Sequence, residues 1–152
     1  MKTLVKVSLI AVALAFLLPT ISQELLAQGK HPHYLRALSD LRDARGLLER
    51  PNGGALQHQE SDAIHQIDEA IGEIKRASID DGKNIADHAP VDPHWPWQGR
   101  LHKSRDLLDK AIADCSKEED DPHTQGLQAR IVEHLHKAHH HIDEAIAIAE
   151  RR

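Results

Sequence analysis

Thirteen of the 152 residues are histidine: His31, His33, His58, His65, His88, His94, His102, His123, His134, His136, His139, His140 and His141. Imidazole can ligate a metal when neutral and change charge near neutral pH, so this excess is where chemistry is to be sought. Five of the rings fall between 134 and 141, interrupted by Leu135, Lys137 and Ala138, so the cluster is not a run of tag residues. At about 100° per helical residue, His136, His140 and Asp143 lie on the flank of an apolar stripe that His139 borders. Spacings of three, four and seven put their side chains on neighbouring turns of one face, which is how a helix offers imidazoles and a carboxylate to one divalent ion. His102, in a preceding helix that turns near residue 120, is level with residue 138 and is a further candidate ligand; an internal repeat places His33 at the same end. Imidazole-rich, thiol-poor ligation favours copper(II), zinc or nickel. The competing reading is that these rings form the solvated flank of an amphipathic helix, since His134 and His141 point away from the stripe.

Other site chemistries fit less well. Glu133-His134-Leu135-His136 and Asp62-Ala63-Ile64-His65 have the Glu/Asp-x-x-His spacing of a carboxylate-bridged di-iron site. Their faces are wrong, with Glu133, Asp62 and His65 about 140° to 180° from the apolar centres of their helices. Cys-x-x-Cys-His is absent and Met1 is the one methionine, so covalent or His-Met haem is excluded and a bis-histidine haem on His139 is a remote option. Asp80-Asp81-Gly82-Lys83-Asn84 lacks the spaced ligands of a calcium loop and reads as a helix stop. No Gly-x-Ser-x-Gly elbow or comparable nucleophile is visible, and nothing marks the chain as an enzyme. Cys115 is the single thiol, so an intramolecular disulfide is impossible. It lies on the stripe Leu101, Ser104, Leu108, Ala111, Cys115 and is expected in the core, with soft metal ligation or an intermolecular disulfide as the alternative.

Four segments carry apolar residues at spacings of three and four, and none alternates like a strand. The first, from Tyr34 to about Glu49, is stopped by Pro51-Asn52-Gly53-Gly54. The second runs from about Leu56 to Asp80, with Gly82 placed for a left-handed C-terminal cap. The third extends from about Gln98 to Lys117, and the fourth from about Thr124 to the end. The expected fold is all-α, an antiparallel up-down-up-down four-helix bundle of two similar helical hairpins, one over about 34-82 and the other over about 98-152.

A shift of 66 lays Leu35, Asp40, Leu41 and Asp43 on Leu101, Asp106, Leu107 and Asp109. A shift of 75 lays Ile-Asp-Glu-Ala-Ile at 67-71 on the same five residues at 142-146, and His31-Pro32-His33-Tyr34 rhymes with Asp92-Pro93-His94-Trp95. A duplicated hairpin accounts for this, and chance similarity between Leu-Ala-Asp helices is the competing account. It would put the chain ends and the loop from Lys83 to Trp97 at one end. Helix two has Ile64 where helix four has His139, so a metal site would belong to the second hairpin alone. The segments 31-42, 73-84, 99-102 and 141-145 resemble a group of small secreted bacterial helical proteins of unassigned function. The resemblance spans nearly all of the mature chain and implies a secreted bundle, but brings no activity, substrate or site residue.

Lys2 and Lys6 precede an apolar run from Val7 to Leu18, too short to span a bilayer and suited to a secretory signal. Cleavage is expected after Ala27, or after Ser22, leaving residues 28-152; the alternative is an uncleaved anchor. No cysteine follows the run to take a lipid. Removing Lys2, Lys6 and Glu24 leaves seventeen basic and twenty-three acidic residues, a formal charge of −6 with no reason to seek nucleic acid or an anionic membrane. Thirteen protonated imidazoles would carry it to about +7, given a reference pKa near 6.5.

Two functions are therefore expected of a secreted, periplasmic, non-catalytic bundle. The first is binding of a divalent transition metal by His136, His139 and His140, with Asp143, His102 and His33 as secondary ligands. The second is a metal-free, acid- or stress-responsive interaction module. Trp95 and Trp97 in Pro93-His94-Trp95-Pro96-Trp97 are its natural contacts if exposed, and otherwise cap the core. Burial of the loop aromatics together with separation of the stripe from His102 and His33 would favour the interaction module; convergence of three ligands would favour metal.

Overall fold

The structure, a computed structural model, describes residues 31-50, 54-77, 79-92, 94-118 and 126-151. The expected signal segment 1-27, His123 and the expected start of the fourth helix at Thr124 lie outside them. Four helices form, α1 (Pro32–Leu48), α2 (Gly54–Arg76), α3 (Trp97–Cys115) and α4 (Leu127–Glu150), with no strand among the described residues. They pack as an all-α antiparallel four-helix bundle, as the periodicity predicts.

With so few aromatics the core is aliphatic. Leu38, Leu41, Ile67, Ile71, Leu108, Ile131, Leu135 and Ile142 are each fully buried, and Tyr34 is the one fully buried aromatic among the described residues. Alanines at helical spacing, among them Ala37, Ala44, Ala63, Ala70, Ala111, Ala138 and Ala145, are buried with them. Their small side chains leave ridges that neighbouring helices can approach closely. Cys115 and Ser104 complete the α3 stripe inside, and the Ser104 hydroxyl donates to the Ala44 carbonyl at 3.1 Å.

The most extensive packing joins α2 to α4 and α1 to α3, while α1 and α2 touch least. Each extensive pair is antiparallel. His33 at the start of α1 meets Asp114 at the end of α3, and Arg100 at the start of α3 donates to the Leu47 carbonyl at the end of α1. Gln59 and Gln66 of α2 meet His141 and His134 of α4. Since α3 and α4 also oppose each other through Arg105–Asp143 and His139–Asp109, the directions run up, down, down, up. The bundle is thus the expected one with a different succession: the segment from Ala77 to Pro96 is a crossover and does not lie across one end.

Polar anchors dictate this path. Helix α2 stops at Arg76, short of the expected Asp80, because Ile79 drops into the core and Asp81 is held by Arg42 of α1. Arg42 is 1% exposed and donates from both terminal nitrogens to the Asp81 carboxylate at 2.7 Å. The Ala89 amide then donates to Asp43, and His88 packs over Gly46. The loop so follows α1 upward from Arg42 to Glu49. Gly82, with φ of 73°, serves a turn of this loop and not a helix cap.

Candidate functional site

His139 and Asp143 are together on α4. The His139 ring, 27% exposed, has Asp143 Oδ2 at 3.1 Å from Nδ1 and Asp109 Oδ1 of α3 at 3.2 Å from Nε2. Arg105 of α3 approaches Asp143 at 3.6 Å. This is a charge clasp between α3 and α4. His136 and His140 face solvent one turn apart, and the His140 Nε2 lies 3.4 Å from Glu144. They line a shallow depression of about 520 Å³ with Val132, Glu133, Lys137 and His141.

His102 and His33 are not brought to this stripe. The pairing of Arg105 with Asp143 and Asp109 with His139 places His102 a further turn along, roughly 10 Å along the axis from the Asp109 level at 1.5 Å per residue. The expected level with residue 138 assumed a tight turn near 120, whereas the observed register offsets the helices. His33 lies at the other end of α3 from His102, about 18 Å away along that helix, because α1 and α3 are antiparallel. Among the described residues no three His, Cys, Asp or Glu side chains are grouped so as to hold a metal ion.

At that other end sits a cluster the sequence did not announce. Glu118, 7% exposed, accepts the His33 amide at 2.7 Å and the Tyr34 amide at 3.3 Å, and faces the His31 Nδ1 at 3.3 Å. Helix α1 has no side-chain cap of its own, and this carboxylate from beyond α3 satisfies its first amides. Asp114 accepts from His33 and Arg36, and Arg36 also touches the His33 ring. Burial works to raise the Asp114 carboxyl, but the hydrogen bonds from His33, Arg36 and Lys117 outweigh it and hold it below the ordinary range. Only the fold brings residues 81 apart in sequence together, so local spacing held no signal for this cluster.

Four further histidines have side-chain partners. His88 faces Glu49 at 3.4 Å and His58 faces Asp62 at 3.3 Å. His134 and His141 meet Gln66 and Gln59 at 2.9 and 2.8 Å. None of the described histidines is buried. Among the described residues six rings, His31, His33, His58, His88, His139 and His140, face a carboxylate.

Trp97 is half-buried against the core, whereas Trp95 is 38% exposed, with its indole nitrogen over Gly99. The Cys115 thiol is fully buried and pushed up to about 12, chiefly by burial, with Asp114 and Glu118 adding to it. Glu133 is paired with Lys137 on the outside of α4, away from the bundle interior where a di-iron ligand would have to be. No helix among the described residues is long and apolar enough to cross a membrane. No known family, curated protein or solved structure matches the chain.

Proposed function

We propose that this protein is a secreted, non-catalytic helical bundle that acts as an acid-responsive interaction module. The observation that carries the reading is the placement of its histidines. Because none of the described rings is buried, each can take a proton without a charge entering the core, and six of them receive it beside a carboxylate. His139 has a carboxylate at each ring nitrogen, and only the protonated ring can donate to both. Full protonation of the histidines would carry the mature chain from its formal −6 to about +7 with no charge placed in the aliphatic core. The reading takes the signal segment 1-27 as cleaved and the half-exposed Trp95 as one contact point. A cage of His136, His139, His140, Asp143, His102 and His33 is the weaker reading, because His102 and His33 lie toward opposite ends of α3 and His139 is engaged by Asp109 and Asp143.

The reading includes an internal duplication. Under the shift of 75, Gln59 corresponds to His134 and Gln66 to His141. The contacts Gln59–His141 and Gln66–His134 are therefore images of each other. A hairpin repeated about a two-fold axis across the helices would produce this reciprocity.

The test is retention of the mature protein on immobilised polyglutamate. Salt-sensitive retention at pH 5.5 and none at pH 7.5 is expected, weakened when the exposed His58, His65, His136 and His140 are all changed to Gln. Equal behaviour at the two pH values would overturn the reading.

A further inference from the structure

We propose that His136 and His140 form a two-imidazole chelate on the outer face of α4 that takes one divalent transition-metal ion, copper(II) in preference to nickel or zinc. Both side chains are exposed, and they border the same shallow depression. Residues four apart on a helix have Cβ atoms about 5–6 Å apart, which lets two rings turn onto one ion at the usual metal–nitrogen distance near 2 Å. The same spacing supplies the two histidines of helical zinc sites.

The surroundings separate this pair from the protein's other histidines. His139 is engaged at both ring nitrogens by Asp109 and Asp143, with Arg105 on the latter, so recruiting it would dismantle the contact between α3 and α4. His33 has the Arg36 guanidinium at its ring, which opposes a cation. At the His136–His140 pair the one lysine on the depression, Lys137, is neutralised by Glu133 at 2.6 Å. His140 must leave its 3.4 Å contact with Glu144, itself an oxygen donor one turn further on, and its tilted contact with the His141 ring at 5.9 Å. Two imidazoles with open positions for water or a carboxylate suit a tetragonal ion, and the affinity order of such a site peaks at copper(II).

The site does not depend on the acid-responsive reading, and either can fail alone. Ligating rings must be neutral, so acid would release the ion.

The experiment is calorimetric titration of the untagged mature protein at pH 7.5 with copper(II), nickel(II) and zinc(II), and thermal unfolding with and without copper(II). The expected result is one equivalent of copper(II) bound and a raised Tm. His136→Ala and His140→Ala should each weaken binding at least about tenfold, since even partners behind a ligand contribute that much. His139→Ala should bind as the parent does. All three positions are solvent-accessible, and circular dichroism verifies that the variants fold. No saturable binding, binding that survives loss of either His136 or His140, or equal loss in His139→Ala would each overturn the proposal.

Discussion

Replacing Asp81 by Ala should destabilise the bundle by about 3 kcal/mol, and the size follows from what it leaves behind. Arg42 is 1% exposed and its two terminal nitrogens both donate to Asp81 at 2.7 Å, while its Nε has no hydrogen-bond partner among the described residues. Breaking a buried pair by removing one partner costs about 3–5 kcal/mol. The lower end applies because Asp81 is 18% exposed and water can reach part of the vacated space. At this chain length that is a fall in Tm of about 12 °C. The assay is urea unfolding followed by circular dichroism, with Arg42→Met and the double variant completing a cycle. Arg42→Met with Asp81→Ala should recover most of the loss, since a methionine of similar reach carries no charge into the core. The pair also sets an acid limit. Burial works to raise the Asp81 carboxyl, but the hydrogen bonds from Arg42 and the Lys83 amide outweigh it and hold it below the ordinary range. A depressed folded value means the stabilisation is complete above the unfolded value near 3.9 and disappears as pH falls through the folded one. That part of the acid sensitivity should be missing in Asp81→Ala. A loss below about 0.5 kcal/mol, the level of an ordinary surface substitution, would refute the reasoning. So would a double variant no better than the single.

Glu118→Ala should cost about 1–3 kcal/mol, because the His33 and Tyr34 amides lose a buried charged acceptor, and their hydrogen exchange should accelerate. Gly99→Ala would set a methyl 2.5 Å from the Trp95 indole nitrogen, so the ring must move outward and its fluorescence should shift to the red; an unchanged spectrum would mean that Trp95 does not pack there. Native Cys115 should resist iodoacetamide at pH 8 and react at once in urea, as its thiol is buried and pushed up to about 12. Labelling of the folded protein at the rate of a free thiol would contradict that placement.

Period and composition carried the helices well. Leu38, Leu41, Ile67, Ile71, Leu108 and Ile142 were readable as core because a 3.6-residue stripe has one face to bury, and Cys115 and Ser104 followed from their places on it. Directions and ends were less legible. The crossover is fixed by Arg42–Asp81 and Asp43–Ala89, contacts between segments 39 and 46 residues apart that no local pattern encodes. The histidines were visible as an excess and their partners were not. His139 and Asp143 could be paired from their spacing on one helix, but Asp109 joins them only through the register of α3 on α4. The same register carries His102 away from the stripe, and the antiparallel pairing of α1 with α3 puts His33 at the other end of α3 from His102. Spacing along one helix thus placed His136 and His140 on one exposed face, and it could not place His102 and His33, whose positions depend on how the helices pack.

The most direct test of the acid-responsive account is to follow electrophoretic mobility and the amide NMR spectrum of the mature protein together from pH 7.5 to 5.0. The account predicts that mobility changes sign between pH 7.5 and 5.0 as the histidines take up protons, while the dispersed spectrum of the folded bundle persists. Loss of the folded spectrum within that window, or a mobility that stays anionic to pH 5.0, would contradict it.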